Sequence, residues 1–231
     1  MKAILLAAGL GTRLSPLTDK VPKCLVPVNG KPLLGYWLDA LNIAGVTSIL
    51  INLHHHADQV RSFVDSRSDR AQITLVHEES LLGTGGTVRA NASFCGHDPT
   101  LVVHADNFCT SDLSDFIHAH RNRPSRADIT MMTFQTDNPQ ECGIVEMNSD
   151  GVVTGFYEKV DQPPGDLANG AVYIFEGNVV EIIRKMTKTP LDLSIDVLPR
   201  FLGRIFAVPA SGAHIDIGTL RNLQIANSLI I

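Results

Sequence analysis

The chain opens on an apolar run, Lys2 to Ala8, that passes directly into the glycine-rich segment GLGTRLSP beginning at Gly9. A strand that ends in glycines can bring bare backbone N–H groups against phosphate oxygens, because Gly9 and Gly11 carry no Cβ to keep the ligand away. Arg13 and Lys23 add positive charge just downstream. Two common nucleotide loops are excluded. Leu14 stands where a third glycine would complete G-x-G-x-x-G, and no Gly-Lys-Ser/Thr follows, so the segment is neither a dinucleotide fingerprint nor a P-loop.

Hydrophobic periodicity sets the frame around this loop. Strands are expected at Lys2–Ala8, Thr47–Leu53, Ile73–His77 and Leu101–Ala105. The helices between them are Pro32–Ala44, with proline in its first turn and Gly45 as its stop, then Ala57–Asp65, Gly85–Phe94 and Asp112–Arg121. Strands separated by helices of this length imply right-handed crossovers and a mostly parallel sheet. The second half changes character. Ile129–Gln135, Gly143–Met147, Val152–Glu158 and Ala168–Phe175 read as strands, with Asn148-Ser-Asp-Gly151 as a hairpin turn. Helices Val179–Met186, Ile195–Leu202 and Leu220–Leu229 and short strands Ile205–Val208 and His214–Ile217 complete the pattern. The expected fold is α/β: a Rossmann-like three-layer sandwich with a mostly parallel central sheet and a smaller antiparallel part. A single domain over 1–231 is expected, its two halves meeting at about residues 125 and 126.

With 231 residues, 44% of them apolar, the chain can bury a full core. A net charge of −5 argues against nucleic acid, whose phosphate backbone demands a basic surface, but leaves room for a small polyanion met by local cations and a divalent metal. No stretch approaches the ~20 apolar residues of a membrane span, and the apolar opening lacks a basic flank and cleavage site. A soluble, cytoplasmic protein without membrane partners is expected. Cys24, Cys95, Cys109 and Cys142 are scattered and read as reduced thiols.

In an open parallel sheet ligands gather at the carboxyl ends of strands, and Gly9–Arg13, Glu78, Asp106 and Asp216 all follow strands. Asp106 and Asp216, presented from distant strands, could together hold one Mg²⁺, which binds through one or two carboxylates plus phosphates and water. Alone, each aspartate reads first as a strand-end turn or helix cap. Glu158-Lys159 ends a strand and could be a simple exposed ion pair. Asn169-Gly-Ala171 could be a glycine at a bulge. LGTGGT, containing Gly83 and Thr84, precedes a helix whose first N–H groups could face a polar ligand, with Glu78 and Glu79 just upstream. A carboxylate there could accept both N1–H and N2–H₂ of guanine, whereas uracil or thymine offers one imide N–H. The run His54-His-His56 lies between a strand end and a helix start, which favours a turn-and-cap role over metal binding. Trp37, Leu38 and Asp39 fall inside the first helix as core and surface, and Asp196 reads as a helix-start residue.

The stretch ending at Pro32, AAGLGTRLSPLTDKVPKCLVPVNGKP, resembles the signature of the sugar-1-phosphate nucleotidyltransferases, which join a nucleoside triphosphate and a sugar 1-phosphate into an NDP-sugar. The resemblance runs over nearly the whole chain, and it implies a nucleotide-binding half to about residue 125 and a sugar-binding half from about 126. It implies Arg13 and Lys23 as catalytic cations, and Ala8, Gly9, Gly11, Thr12, Glu78, Gly83 and Thr84 on the nucleotide. It further implies Glu158, Lys159 and Asn169 on the sugar phosphate, and Asp106 and Asp216 on Mg²⁺, with Mn²⁺ as a substitute. Ala105 departs from the pattern, which places glycine before the first aspartate. The chain looks most like the short mannose- or heptose-type guanylyltransferases and muramic-type uridylyltransferases. The partners implied are a nucleoside triphosphate and a sugar 1-phosphate, with no nucleic acid and no membrane, and a homodimer is compatible. A uridylyltransferase on a muramic- or glucose-type phosphate and a non-catalytic nucleotide-sugar sensor are the alternatives.

Overall fold

A computed structural model describes residues 1–229. The chain is mixed α/β with a mostly parallel central sheet of nine strands and two small antiparallel sheets. In chain order the elements are β1 (Lys2–Leu6), β2 (Pro27–Val28), β3 (Lys31–Pro32), α1 (Leu33–Ile43), β4 (Ser48–Leu53), α2 (Ala57–Asp65), β5 (Ile73–His77), α3 (Thr84–Ala90), α4 (Ala92–Cys95) and β6 (Thr100–His104). There follow β7 (Asn107–Cys109), α5 (Leu113–Arg121), β8 (Ile129–Gln135), β9 (Gly143–Met147), β10 (Val153–Glu158), β11 (Leu167–Phe175), α6 (Gly177–Arg184), β12 (Ile205–Pro209), β13 (His214–Asp216) and α7 (Leu220–Ser228). Two compact units interleave along the chain, one of Met1–Leu81, Val103–Asp112 and Gly212–Ile231, the other of Leu82–Val102 and Leu113–Ser211. The functional halves read about residue 125 are therefore a different division from these units.

In the first unit β1 pairs parallel with β4, and β4 with β5. Ala3, Ile4 and Leu5 are buried without exception, as expected of a strand covered on both faces. Helix α1 buries Leu33, Leu34, Trp37, Leu38 and Leu41 as one stripe. It stops at Gly45, whose φ of +72° lets the Gly45 and Val46 N–H groups turn back onto the Asn42 and Leu41 carbonyls. A second apolar cluster gathers Leu14, Val26, Val28, Leu33, Phe108, Ile217 and Ala226. Each large side chain fully buried there contributes about 1.5–3 kcal/mol. Leu14, Phe108 and Ile217 are sequence neighbours of Arg13, Asp106 and Asp216, so the cluster anchors the charged residues beside it.

In the second unit β8 pairs antiparallel with β11 and parallel with β12, while β9 and β10 form the expected hairpin. Its turn is held by Asn148 Oδ1, which accepts from the N–H groups of Asp150 and Val152. Two expectations are corrected. Gly85–Phe94 is not one helix but α3 and α4, broken at Asn91, whose side-chain amide turns back onto the Thr87 carbonyl. Ile195–Leu202 is not a regular helix but a π turn over Leu193–Val197 followed by a 3₁₀ turn over Leu198–Phe201. Pro199 has no N–H for an i→i−4 bond, so the α pattern cannot run through it.

Candidate active site

The segment from Gly11 to Leu25 is a chain of three 3₁₀ turns, Thr12–Leu14, Leu17–Asp19 and Lys23–Leu25. Gly11 sits at φ +66°, and a Cβ there would meet Thr18 Cγ2 at 2.9 Å, so the turn requires glycine for both reasons. Thr18 Oγ1 donates to the Gly11 carbonyl at 2.8 Å and closes the loop on itself. Gly9, Thr12 and Arg13 are exposed around it, while Leu14 is buried.

Lys23 carries the loop's charge inward. Its side chain is 8% exposed, and Nζ donates to Asp106 Oδ2 at 2.6 Å and to Asp216 Oδ1 at 3.4 Å. Arg13 Nη2 lies 3.4 Å from Asp216 Oδ2, from the solvent side. Burial works against the Lys23 charge, but the two carboxylates more than offset it and its pKa stands above the ordinary lysine value. Burial likewise opposes ionisation of Asp106, yet Lys23 and then His104 hold its carboxyl below the usual range. Asp106 is thus held in its anionic form against the Lys23 ammonium, which Asp216 also reaches.

The sequence placed the two aspartates on distant strands, and the structure gives a closer reason for their meeting. Asp216 ends β13, which pairs antiparallel with β7, and the register sets Asp216 opposite Asn107. Asp106 immediately precedes Asn107, so this small ladder delivers both carboxylates together. Trp37 Nε1 donates to the Asn107 carbonyl at 2.8 Å, so that part of α1 supports the ladder from its buried face. Two carboxylates that both reach one ammonium can also reach one hard dication, whose preferred ligands are oxygens. Among the described residues no group of three or more His, Cys, Asp or Glu is placed to hold a metal.

Glu78 is not free to meet a base as a loop carboxylate would be. It is 5% exposed, and its Oε1 accepts from Asn52 Nδ2 at 3.0 Å. Asn52 Oδ1 in turn accepts from the Ala7 N–H at 2.7 Å, and Ala7 leads straight into Ala8 and Gly9. His54 Nδ1 lies 2.8 Å from the Glu78 carbonyl. Glu78 and Asn52 therefore brace the strand end from which the glycine loop departs, whereas Glu79 is exposed. Asn52 was not singled out in the sequence; its signal is a lone amide inside the apolar run SILINL.

In the second unit the LGTGGT loop is closed down on the segment around Leu191. The Gly85 and Gly86 N–H groups donate to the Leu191 carbonyl at 2.9 and 3.1 Å, so these first N–H groups of α3 serve the fold rather than face a ligand. A Cβ on Gly83 would collide with that same carbonyl. Thr84 Oγ1 accepts from the Leu193 N–H at 2.8 Å and donates to Asp192 Oδ2 at 3.3 Å. Asp192 caps the π turn through the Ser194 and Ile195 N–H groups, while Asp196 reaches back to the Asp192 N–H at 2.9 Å. The cap is thus Asp192, and Asp196 is its reciprocal partner rather than the helix-start residue.

Glu158, half-buried at the end of β10, has its pKa raised by burial, with Asp192 adding to the effect and Lys159 opposing it. Lys159 Nζ stands 3.6 Å from Glu158 Oε1, and Lys159 itself is at φ +49°. Asn169 Nδ2 donates to the buried Tyr173 hydroxyl at 2.7 Å, and its Oδ1 accepts from the Ala171 N–H at 3.0 Å. Part of the amide's capacity is thereby spent on a bulge between Asn169 and Tyr173. The positive φ in that bulge, +52°, falls on Ala171 and not on Gly170.

A family model described as "Nucleotidyl transferase" matches residues 2–231. The chain belongs to this family. Among curated relatives, a mannose-1-phosphate guanylyltransferase from Mycobacterium tuberculosis is 33% identical over 78% of this chain and 50% of its own length. A glucose-1-phosphate thymidylyltransferase from Streptomyces antibioticus is 34% identical over 80% of this chain and 52% of its own. Both are sugar-1-phosphate nucleotidyltransferases, as the N-terminal signature led us to expect. The chain spans about half the length of these two relatives. The crystal structure of HddC from Yersinia pseudotuberculosis, complexed with GMP-PN, superposes with a TM-score of 0.80 at 26% identity, covering 98% of this chain and 97% of that one. No helix among the described residues is long and apolar enough to cross a membrane.

Proposed function

We propose that this nucleotidyl transferase moves a nucleotidyl group from a nucleoside triphosphate to a sugar 1-phosphate, yielding an NDP-sugar and pyrophosphate. The observation that carries the reading is the convergence of Lys23, Arg13, Asp106 and Asp216 beside a glycine loop. The sugar-phosphate oxygen, already anionic, attacks the α-phosphorus in line, and the bond to pyrophosphate breaks as the new P–O bond forms. No general base is needed, so catalysis reduces to orientation and charge neutralisation. Asp106 and Asp216 would hold a divalent ion, Mg²⁺ or Mn²⁺, which when bound would supply positive charge to the phosphates. Arg13 and Lys23 face the charge that gathers on departing pyrophosphate, and the backbone of Ala8, Gly9, Gly11 and Thr12 receives the triphosphate. Glu158, Lys159 and Asn169 take the sugar phosphate: Lys159 as its cation, Glu158 and Asn169 as partners for hydroxyl groups. Thr84 and Gly83 shape the nucleotide contact through the loop they stabilise.

GTP with a mannose- or heptose-type phosphate is the favoured pair, supported by the likeness to the M. tuberculosis guanylyltransferase and to HddC with its guanine nucleotide analogue. A thymidylyl reading draws on the equally similar Streptomyces relative. A pyrophosphate-release assay with four nucleotides against mannose, heptose, glucose and N-acetylmuramic acid 1-phosphates decides among them. Release with one pair far above the rest supports transfer, whereas binding of nucleotide without release under any pair leaves only the sensor.

A further inference from the structure

The corner between β4 and α2 directs three side chains away from its own helix. His56 stands at φ +51°, and no side chain caps the α2 N-terminus. Instead His55 Nε2 lies 3.2 Å from the Thr18 carbonyl, His56 Nε2 3.0 Å from the Asp19 carbonyl, and Gln59 Nε2 donates to the Lys20 carbonyl at 2.8 Å. Three donors therefore meet three consecutive carbonyls of the loop that leads to Lys23. A carbonyl only accepts, so each imidazole must carry a proton on Nε2.

We propose that His55, His56 and Gln59 form a clamp that positions the Gly11–Lys23 loop and, through it, the Lys23 ammonium. The loop is a run of short 3₁₀ turns that makes no strand ladder, and its side-chain ties, Thr18 to Gly11 and Ser15 Oγ to Asp19 Oδ2 at 3.1 Å, join the loop only to itself. The clamp fixes the second half, three residues before Lys23. His55 and His56 do lie in the turn and His56 stands at the N-cap position of α2, as read, but their imidazoles serve the loop carbonyls rather than cap the helix. His54 bonds the Glu78 carbonyl and His55 and His56 the separate Thr18 and Asp19 carbonyls, so each of the three imidazoles is spent on its own backbone partner. His55, His56 and Gln59 are positioning residues: they act on the reaction through Lys23. A displacement of about 1 Å in such a group can cost about a hundredfold in rate.

The kinetic consequence rests on the nucleotidyl-transfer reading, so the test has an arm that does not. Hydrogen–deuterium exchange over residues 10–26 and steady-state pyrophosphate release would be compared for the wild type, the triple variant His55→Leu/His56→Leu/Gln59→Leu, and the double variant His55→Gln/His56→Gln, whose amide nitrogens can replace Nε2. The clamp predicts exchange in that segment about tenfold faster in the triple variant, with residues 129–135 unchanged. It also predicts kcat lower by at least about tenfold with KM for the sugar phosphate within about threefold, and recovery of both readouts in the double variant. Unchanged exchange in the triple variant, or a double variant as impaired as the triple, overturns the proposal. Single variants His56→Leu and Gln59→Leu carry the same exchange readout should the triple variant fail to fold. A wild type that releases no pyrophosphate with any substrate pair overturns the functional reading alone, and the exchange result then decides the clamp.

Discussion

Lys23 Nζ lies 2.6 Å from Asp106 Oδ2, and the lysine side chain that makes this contact is almost wholly buried. Truncating it removes a cation that faces the phosphates and also leaves Asp106 without its nearest countercharge. Lys23→Met should therefore lower pyrophosphate release at least about a hundredfold and reduce stability by about 1–3 kcal/mol. Arg13 is exposed and 3.4 Å from its carboxylate. Arg13→Ala should match the kinetic loss while shifting stability by less than about 0.5 kcal/mol. Urea denaturation alongside initial rates separates the two; near-normal turnover in either variant removes that residue from the reaction.

Asp106→Asn and Asp216→Asn keep the size of each side chain and remove the charge that would hold a hard cation. Each should raise the Mg²⁺ concentration for half-maximal rate by at least about tenfold, since a neutral amide oxygen is a much poorer ligand. Mn²⁺ titration without substrates, followed by its electron paramagnetic resonance signal, gives the same comparison independently of turnover. Superimposable titrations for both variants and wild type would sink the two-carboxylate site.

The loop sequence and the apolar periodicity were enough to read β1, β4, β5, α2, β8 and β9 almost to the residue, because each strand is a short, mainly apolar run and α2 is amphipathic. Two kinds of feature escaped. β13 was read, as His214–Ile217, but its partner β7 is three residues long and gives no periodic signal, so the ladder that delivers Asp106 and Asp216 together escaped. Contacts that spend a side chain on a distant carbonyl, such as Trp37 on Asn107 or His55 on Thr18, leave no local trace at all. Asn52 was partly legible, since a buried amide in a strand must find partners. What could not be read was that one partner would be Ala7, at the mouth of the glycine loop.

Glu78 and Glu79 are adjacent but differ in surroundings: Glu78 is buried against Asn52, and Glu79 is exposed. Glu79→Gln should lower the GTP/UTP ratio of kcat/KM by about tenfold or more if its carboxylate accepts both guanine donors. Glu78→Gln should lower kcat/KM for both nucleotides alike, because it disturbs the brace under Ala7 rather than a base contact. The two ratios, measured with one sugar phosphate at saturating Mg²⁺, check the assignment. A ratio that moves only in Glu78→Gln would reverse it.

Ala171 occupies a left-handed backbone position, φ +52°, inside the β11 bulge. That conformation costs an L-residue about 1–2 kcal/mol, partly offset on substitution by the greater chain entropy of an unfolded glycine, about 0.5–1 kcal/mol. Ala171→Gly should thus stabilise the protein by about 0.5 kcal/mol, readable as a higher urea midpoint at unchanged slope. A lower midpoint would mean that the Ala171 methyl contributes more packing than the backbone strain costs.

His120 is buried in the second unit with Nδ1 2.7 Å from Thr130 Oγ1, and burial, then Arg123 and Arg121, lower its pKa to about 4. Glu176 lies 3.2 Å from Nε2, but its carboxylate is already engaged by Arg123, so it does not restore the charged form. The unfolded chain titrates this residue near the ordinary value of about 6.5. Above that pH neither state is protonated and the group leaves stability unaffected. As pH falls below it, the unfolded state takes up a proton that the native state refuses. Stability is therefore lost progressively between about 6.5 and 4, by about 2 kcal/mol on going from pH 7.5 to 5. His120→Gln can still bond Thr130 but does not titrate in this range. The stability difference, wild type minus variant, should consequently shrink by about 2 kcal/mol over that interval, with all other groups cancelling. Urea curves at the two pH values measure it directly, and parallel pH profiles for the two proteins would show that His120 protonates as readily in the fold as outside it.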